Sequence, residues 1–217
     1  MTKLATWLAH LRVADRLLDE FGFSPREFLA GNVAPDCGEP VPGGFDPPKE
    51  ITHWTDSGKG HCDFERFRRE LLDPEKDPQN RVFLTGYFCH LMADVLWVRL
   101  INDPTKERFR ELYTTDREEY YHRVKPEWYA NDFLFLRRCP DFRSFRLFCG
   151  IHEFPVNCLP YYRADSVEKQ IRNIQQYYLA PPELPETFVY LTPQQMDWWV
   201  EEAASRIAER LRSSKGD

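Results

Sequence analysis

Residues 81–100, RVFLTGYFCHLMADVLWVRL, constrain the fold more than any other stretch. Apolar side chains fill nearly every position. A helix built from them is apolar all round and has to lie inside the protein. Among its few polar groups are His90 and Asp94. Four residues apart, they project from one helix face, one turn from each other. A carboxylate and an imidazole in such surroundings are costly to bury unless something pairs with them. A divalent metal ion would do so.

The 217 residues suit one large domain with ample core, expected over residues 1–212 with a polar tail at 213–217. Six Trp, ten Tyr and sixteen Phe provide large rings for that core. A formal net charge of −6 argues against a broad nucleic-acid footprint. The opening residues carry charges throughout, with no apolar run before a small-residue cleavage site, so no secretory leader is expected. No stretch reaches about 18 uninterrupted apolar residues, so no membrane span is expected. Cys37, Cys62, Cys89, Cys139, Cys149 and Cys158 show no CxxC spacing. In a chain of this kind they are expected as thiols, and the address as cytoplasmic.

Hydrophobic spacing predicts an all-α single-domain bundle of about eight helices. An amphipathic helix is expected over 2–21, with Leu4, Trp7, Leu8, Leu11, Leu18 and Phe21 inward, His10 beside that stripe and Gly22 as the stop. Ser24-Pro25-Arg26-Glu27 reads as a capping box opening a short helix that ends before Pro35. Residues 35–62 hold five prolines and five glycines, which argues against any regular element. Loops this long in compact domains are usually functional or disordered. This one carries Asp36 and His53, which favours function. A helix over 63–72, a charged turn at 73–79 and the central helix over 80–101, with Gly86 in its first half, come next. Helical pattern is expected over 105–124, a break at Pro126, then helices around 128–136, 141–149 and 166–178. Residues 150–164 read as irregular, and Pro181, Pro182 and Pro185 as a stiff connection. Thr192-Pro193-Gln194-Gln195 is a second capping box and opens the last helix, through Leu211.

Taken singly, each polar candidate has an ordinary reading. His90 and Asp94 can bond to each other, and His10 can be a core or rim histidine. Asp36 can be a turn residue, and His53 can stack on Trp54. Taken together they form an ordered set. It comprises an N-terminal helix bearing His10-Leu11, then Asn32-Val33-Ala34-Pro35-Asp36, then Thr52-His53-Trp54, then Gly86-Tyr87-Phe88-Cys89-His90-Leu91-Met92-Ala93-Asp94. This set resembles the zinc-dependent phospholipase C family, part of an all-α group that includes single-strand-specific nucleases. The resemblance covers the first hundred residues. It implies zinc ligands at His10, Asp36, His53, His90 and Asp94.

Imidazole nitrogen and carboxylate oxygen suit zinc. Asp36, His53, His90 and Asp94 supply four ligands for one site. If Asp94 bridges through its second oxygen, it and His10 begin another. Paired metals clamp the attacking and leaving oxygens of a displacement at phosphorus. Asp36 is also the candidate catalytic residue, orienting the water. The chain departs from the family pattern in two places. Secreted members use a freed N-terminal Trp as a chelate, and this sequence starts at Met1 with no cleavage signal. A further family histidine is replaced by Leu100, and Asp116, Glu119, His122, Asp132, His152 and Glu153 are the remaining downstream candidates; Glu118 and His122 have i, i+4 spacing in the reversed order, as in a plain helix pair. One firm zinc site is expected, with room for a second.

Lys59, His61, Arg81 and Arg99 are candidates for holding a phosphate, with surface solvation the plainer role. Trp54, Tyr87, Trp97, Trp128 and Tyr129 read mainly as core. Arg137, Arg138, Arg143 and Arg146 read as a solvated helix face rather than a nucleic-acid surface. The leading expectation is a zinc-dependent hydrolase cleaving a small phosphoester or a lipid headgroup through a metal-activated water. The alternatives are a metal-stabilised interaction protein without catalysis, and a single-strand nuclease-like enzyme.

Overall fold

A computed structural model describes residues 5–55 and 62–213. Lys59 and His61 lie outside the described residues, as do Leu4 and the tail beyond residue 213. The fold is all-α, with one small hairpin.

Helix α1 spans Trp7–Phe21. Thr6 caps its start by accepting from the Ala9 N–H, and Gly22 ends it in the left-handed region at φ 65°. Its inner face, from Leu8 to Leu18, is buried. Helix α2, Pro25–Val33, starts at proline as expected, but Ser24 does not cap it. The Ser24 hydroxyl instead donates to the Glu27 carboxylate.

Residues 35–55 are more regular than expected. A 3₁₀ turn, Ala34–Asp36, continues α2. Strands β1, Glu39–Val41, and β2, Gly44–Asp46, pair antiparallel with Pro40 opposite Phe45. A one-turn helix α3, Lys49–Thr52, follows Pro48. The prolines occupy turn, edge and pre-helix positions, where a missing N–H costs little. Composition excluded a long element here, and short ones fit between the prolines. His53 ends α3, and Trp54 turns the chain sharply at φ 52°.

Helix α4, Phe64–Phe67, winds on into a π turn over Arg68–Leu72. The central helix α5, Pro78–Trp97, is capped by Asp77, which accepts from the N–H groups of Gln79 and Asn80. It passes through a π turn, Val98–Asn102, into α6, Asp103–Arg108. By length and composition, Pro78–Arg108 could cross a membrane. Because 78% of its apolar window is buried inside the protein, it serves as the core helix. Trp97 packs edge-on against Trp128 at 5.2 Å and Trp199 at 5.0 Å. Such pairs contribute about 0.5–1.5 kcal/mol each beyond burial.

Helix α7 is Arg110–Thr115, and α8 is Arg117–Arg138. The break expected at Pro126 is absent, because Pro126 sits inside α8. The rod persists across it because Tyr121, Val124, Trp128 and Ala130 around the proline are all buried. Packing thus outweighs the hydrogen bond that the proline removes. Helices α9, Arg143–Cys149, α10, Ser166–Tyr178, and α11, Pro193–Ser213, complete the chain. Thr192 and Gln195 form the expected reciprocal box: the Gln195 N–H donates to Thr192 Oγ1 and the Thr192 N–H to Gln195 Oε1. The helical pieces outnumber the roughly eight expected because residues 103–115 split in two and α3 falls in a segment expected to be irregular.

Helix α2 crosses α5 at two glycines. A Cβ on Gly31 would lie 2.0 Å from the Phe83 carbonyl oxygen, and one on Gly86 would lie 2.3 Å from that of Phe28. Only hydrogen fits at either position. This close crossing brings the end of α2 against His90.

Candidate metal centre

Asp94 is buried and stands on α5 one turn after His90. Its Oδ2 lies 3.2 Å from His90 Nε2 and 3.6 Å from His53 Nε2, while Oδ1 lies 3.3 Å from His10 Nε2. Asp36 Oδ1 is 3.5 Å from His53 Nε2. The five side chains singled out in the sequence therefore meet in one place, from α1, the 3₁₀ turn, the end of α3 and α5. They form two overlapping groups with ligand atoms within 4.8 Å of one another: His10, His90 and Asp94, and Asp36, His53 and His90. Histidine 90 is common to both.

The imidazoles are oriented from behind. His90 Nδ1 lies 2.7 Å from the Asn32 carbonyl oxygen, so that nitrogen carries the proton and Nε2 keeps its lone pair. His53 Nδ1 is held at 2.9 Å by Thr52 Oγ1. His10 stacks flat on His90, with ring centres 3.8 Å apart. Two protonated rings would repel at that distance, so the stack favours neutral imidazole. The Nε2 atoms of His10, His53 and His90 and the Oδ2 of Asp94 are buried with no hydrogen-bond partner. Buried polar atoms are rarely left so. For tetrahedral coordination at about 2.0–2.1 Å, neighbouring ligand atoms stand about 3.3 Å apart. The contacts at Asp94, 3.2–3.6 Å, match that spacing.

The charge balance has physical causes. Burial pushes the Asp94 carboxyl up, but His90 and His10 outweigh it and hold it below the usual carboxylate range. Burial and the neighbouring His90 lower His10. Burial also works against charge on His90, yet Asp94 carries its pKa above the ordinary histidine value. Desolvation pushes the mostly covered Asp36 up as well, but Lys49 and His53 outweigh it and hold it well below the usual range.

Several supporting residues carried no clear sequence signal. Lys49 Nζ donates to Asp36 Oδ1 at 2.8 Å, and the Trp7 indole N–H donates to Oδ2 at 3.1 Å. Tyr162 donates to the Ala34 carbonyl at 2.6 Å, Tyr87 to that of Thr52, and Tyr161 to the Tyr87 hydroxyl at 3.1 Å. These tyrosines fasten the loop carrying Asp36 and His53. Trp7 also meets Tyr177 and Tyr129, which line a groove of about 830 Å³ with Glu127 and Leu184.

Residues beyond Asp94 do not join the cluster. Among the described residues, the two metal-type groups contain none of them. His122 is exposed and nearest to Glu119 rather than Glu118. Asp116 caps α8, while His152 and Glu153 are exposed. Asp132 is buried but bonded to Thr6 and Tyr178. Arg81 donates to the carbonyls of Leu72 and Glu75, and Arg99 is exposed. Arg138, Arg143 and Arg146 pair with Asp197, Asp19 and Asp141, as a solvated face would. None of the six cysteines is in a disulfide.

Fold and site together define an all-α protein with a buried His/Asp group suited to a divalent metal. Residues 7–97 match the family model described as zinc dependent phospholipase C, and this segment contains all five cluster residues. Over that span the chain is similar to this family, and the resemblance read from its motifs holds there. No curated protein and no solved structure matches the chain.

Proposed function

We propose that this protein is a zinc-dependent phosphoesterase. The observation that carries the reading is the convergence of His10 Nε2, His53 Nε2, His90 Nε2 and Asp94 Oδ2, all buried and without hydrogen-bond partners. These four side chains would hold the ion. Zinc, when bound, supplies Lewis-acid polarisation and acidifies water.

The chain's own residues do the rest. Asn32 and Thr52 fix the ring orientation of His90 and His53. Asp36, fixed by Trp7 and Lys49, meets the cluster at His53, with Oδ1 3.5 Å from His53 Nε2. A carboxylate held so far below its usual range is a weak base, so its role is to orient the attacking water by accepting from it. The substrate is an anionic phosphoester, either a small one or a lipid headgroup. The chain acts in the cytoplasm as one domain, and the core cluster running from Ala5 to Leu211 supports the single domain.

The test is metal analysis of purified protein together with hydrolysis of a simple aryl phosphodiester. Bound zinc is expected, with turnover that stops on chelation and returns with zinc. Folded protein that carries zinc but cleaves no phosphoester would favour a structural metal instead. Competition by single-stranded DNA, but not by headgroup analogues, would favour the nuclease reading.

A further inference from the structure

Lys49 is a cation placed directly against the cluster. It stands on α3 one turn before His53, and its side chain is about one-third exposed, at 32%. Its Nζ lies 2.8 Å from Asp36 Oδ1 and 5.4 Å from the centre of the Phe45 ring. The other Asp36 oxygen receives the Trp7 indole N–H. Both oxygens of Asp36 therefore have protein donors, whereas Asp94 Oδ2 has none.

The shared histidine decides which group takes the first ion. His90 belongs to both metal-type groups, yet its Nδ1 is committed to the Asn32 carbonyl. Only Nε2 remains, and one imidazole nitrogen binds one ion. The His10/His90/Asp94 group is fully buried. The Asp36/His53 side already has its positive charge.

We propose that Lys49 is the built-in cation of the Asp36/His53 half of the centre. It limits the protein to one divalent ion, seated on the His10/His90/Asp94 side with His53 as its fourth ligand, and excludes a second, which would take Asp36 and draw His53 away. This rests on the reading of the cluster as a metal centre. One divalent ion balances the two carboxylates, and Lys49 leaves the centre with one excess positive charge to meet a phosphate anion. A second divalent ion would stand within a few ångströms of the ammonium, where like charges repel strongly.

The test is a zinc titration followed by calorimetry and native mass spectrometry, with no assay of turnover. Wild type is expected to bind about one zinc ion per chain at a four-ligand site. Lys49→Met is expected to bind a second, its second binding step strengthened by at least about tenfold once the like charge is gone. Lys49→Arg is expected to remain at one. Circular dichroism checks folding, and Lys49→Gln replaces the methionine variant if that fails to fold. Two ions in wild type or in Lys49→Arg would overturn the proposal, as would a folded neutral variant that stays at one. Zinc binding by none of these proteins would defeat the metal-centre reading itself, and this proposal with it.

Discussion

Two buried carboxylates flank the first turn of α1, and they are satisfied in opposite ways. Asp94 faces three imidazoles across 3.2–3.6 Å, and its Oδ2 has no hydrogen-bond partner. Asp132 accepts from Thr6 Oγ1 at 2.8 Å and from Tyr178 Oη at 2.7 Å. Those hydroxyls also serve the backbone: Thr6 accepts from Ala9 N–H, and Tyr178 from Leu8 N–H. Asp94 is held below its usual range, whereas burial pushes Asp132 up to about 7 despite its two donors. Equal burial thus gives opposite titration. The closed cluster fastens helices together, and the open one has ligand capacity to spare.

The largest expected effect separates the two clusters by mutation. His90→Ala should abolish zinc binding and lower hydrolysis at least about 10³-fold, since a metal supplies several kcal/mol of charge stabilisation. Tyr178→Phe should leave zinc binding near wild type while costing about 1–3 kcal/mol of stability, through the donor lost to Asp132. Equal zinc loss in both would mean that the clusters are not distinct.

The pH dependence comes next. The Asp132 carboxyl titrates near 7 when folded and near 3.8 when unfolded. Between those values the folded protein binds the extra proton. This group's contribution is therefore full at low pH, and stability falls as pH rises from about 4 to about 7, by up to about 4 kcal/mol. Asp132→Asn should remove that slope, so its melting temperature should gain on wild type as pH rises to 8. Parallel curves for the two proteins would refute the assignment.

Chelation probes the open cluster alone. With zinc at about a hundred times its Kd, removal should cost about 2.7 kcal/mol of stability. The expected readout is a lower melting temperature in the presence of chelator, restored by zinc. A smaller effect is expected at Thr52→Val, which removes the oxygen behind His53 Nδ1 and should weaken zinc binding about 10–100-fold. Unchanged affinity there would show that His53 is not a ligand.

The candidate ligands are legible because their spacing survives in the primary structure. His90 and Asp94 share a helix face, and Asp36 and His53 stand out in a segment dense with proline and glycine. Asn32 was visible only as part of a motif, because its contribution is a backbone carbonyl. Lys49 stays hidden in the sequence because the density of proline and glycine makes residues 35–62 read as irregular. Had 49–52 been seen as a helical turn after Pro48, Lys49 and His53 would have stood out as an i, i+4 pair. Trp7 reads in the sequence only as an inward residue of the first helix, and its indole N–H is what reaches Asp36. Tyr161 and Tyr162 lie in a stretch without periodicity, where only tertiary packing assigns a partner. The course of α8 through Pro126 was equally hidden, since burial on both sides decides it.

The Gly31–Gly86 crossing has a consequence for how the centre responds to disturbance. Two main chains meet there without intervening side chains, so no rotamer can absorb a displacement between the helices. The distance from the Asn32 oxygen to the His90 ring is therefore geared to the separation of α2 and α5. Anything that prises those helices apart should release the imidazole's tautomer at the same moment, making the proton on that ring a local gauge of the whole scaffold's integrity.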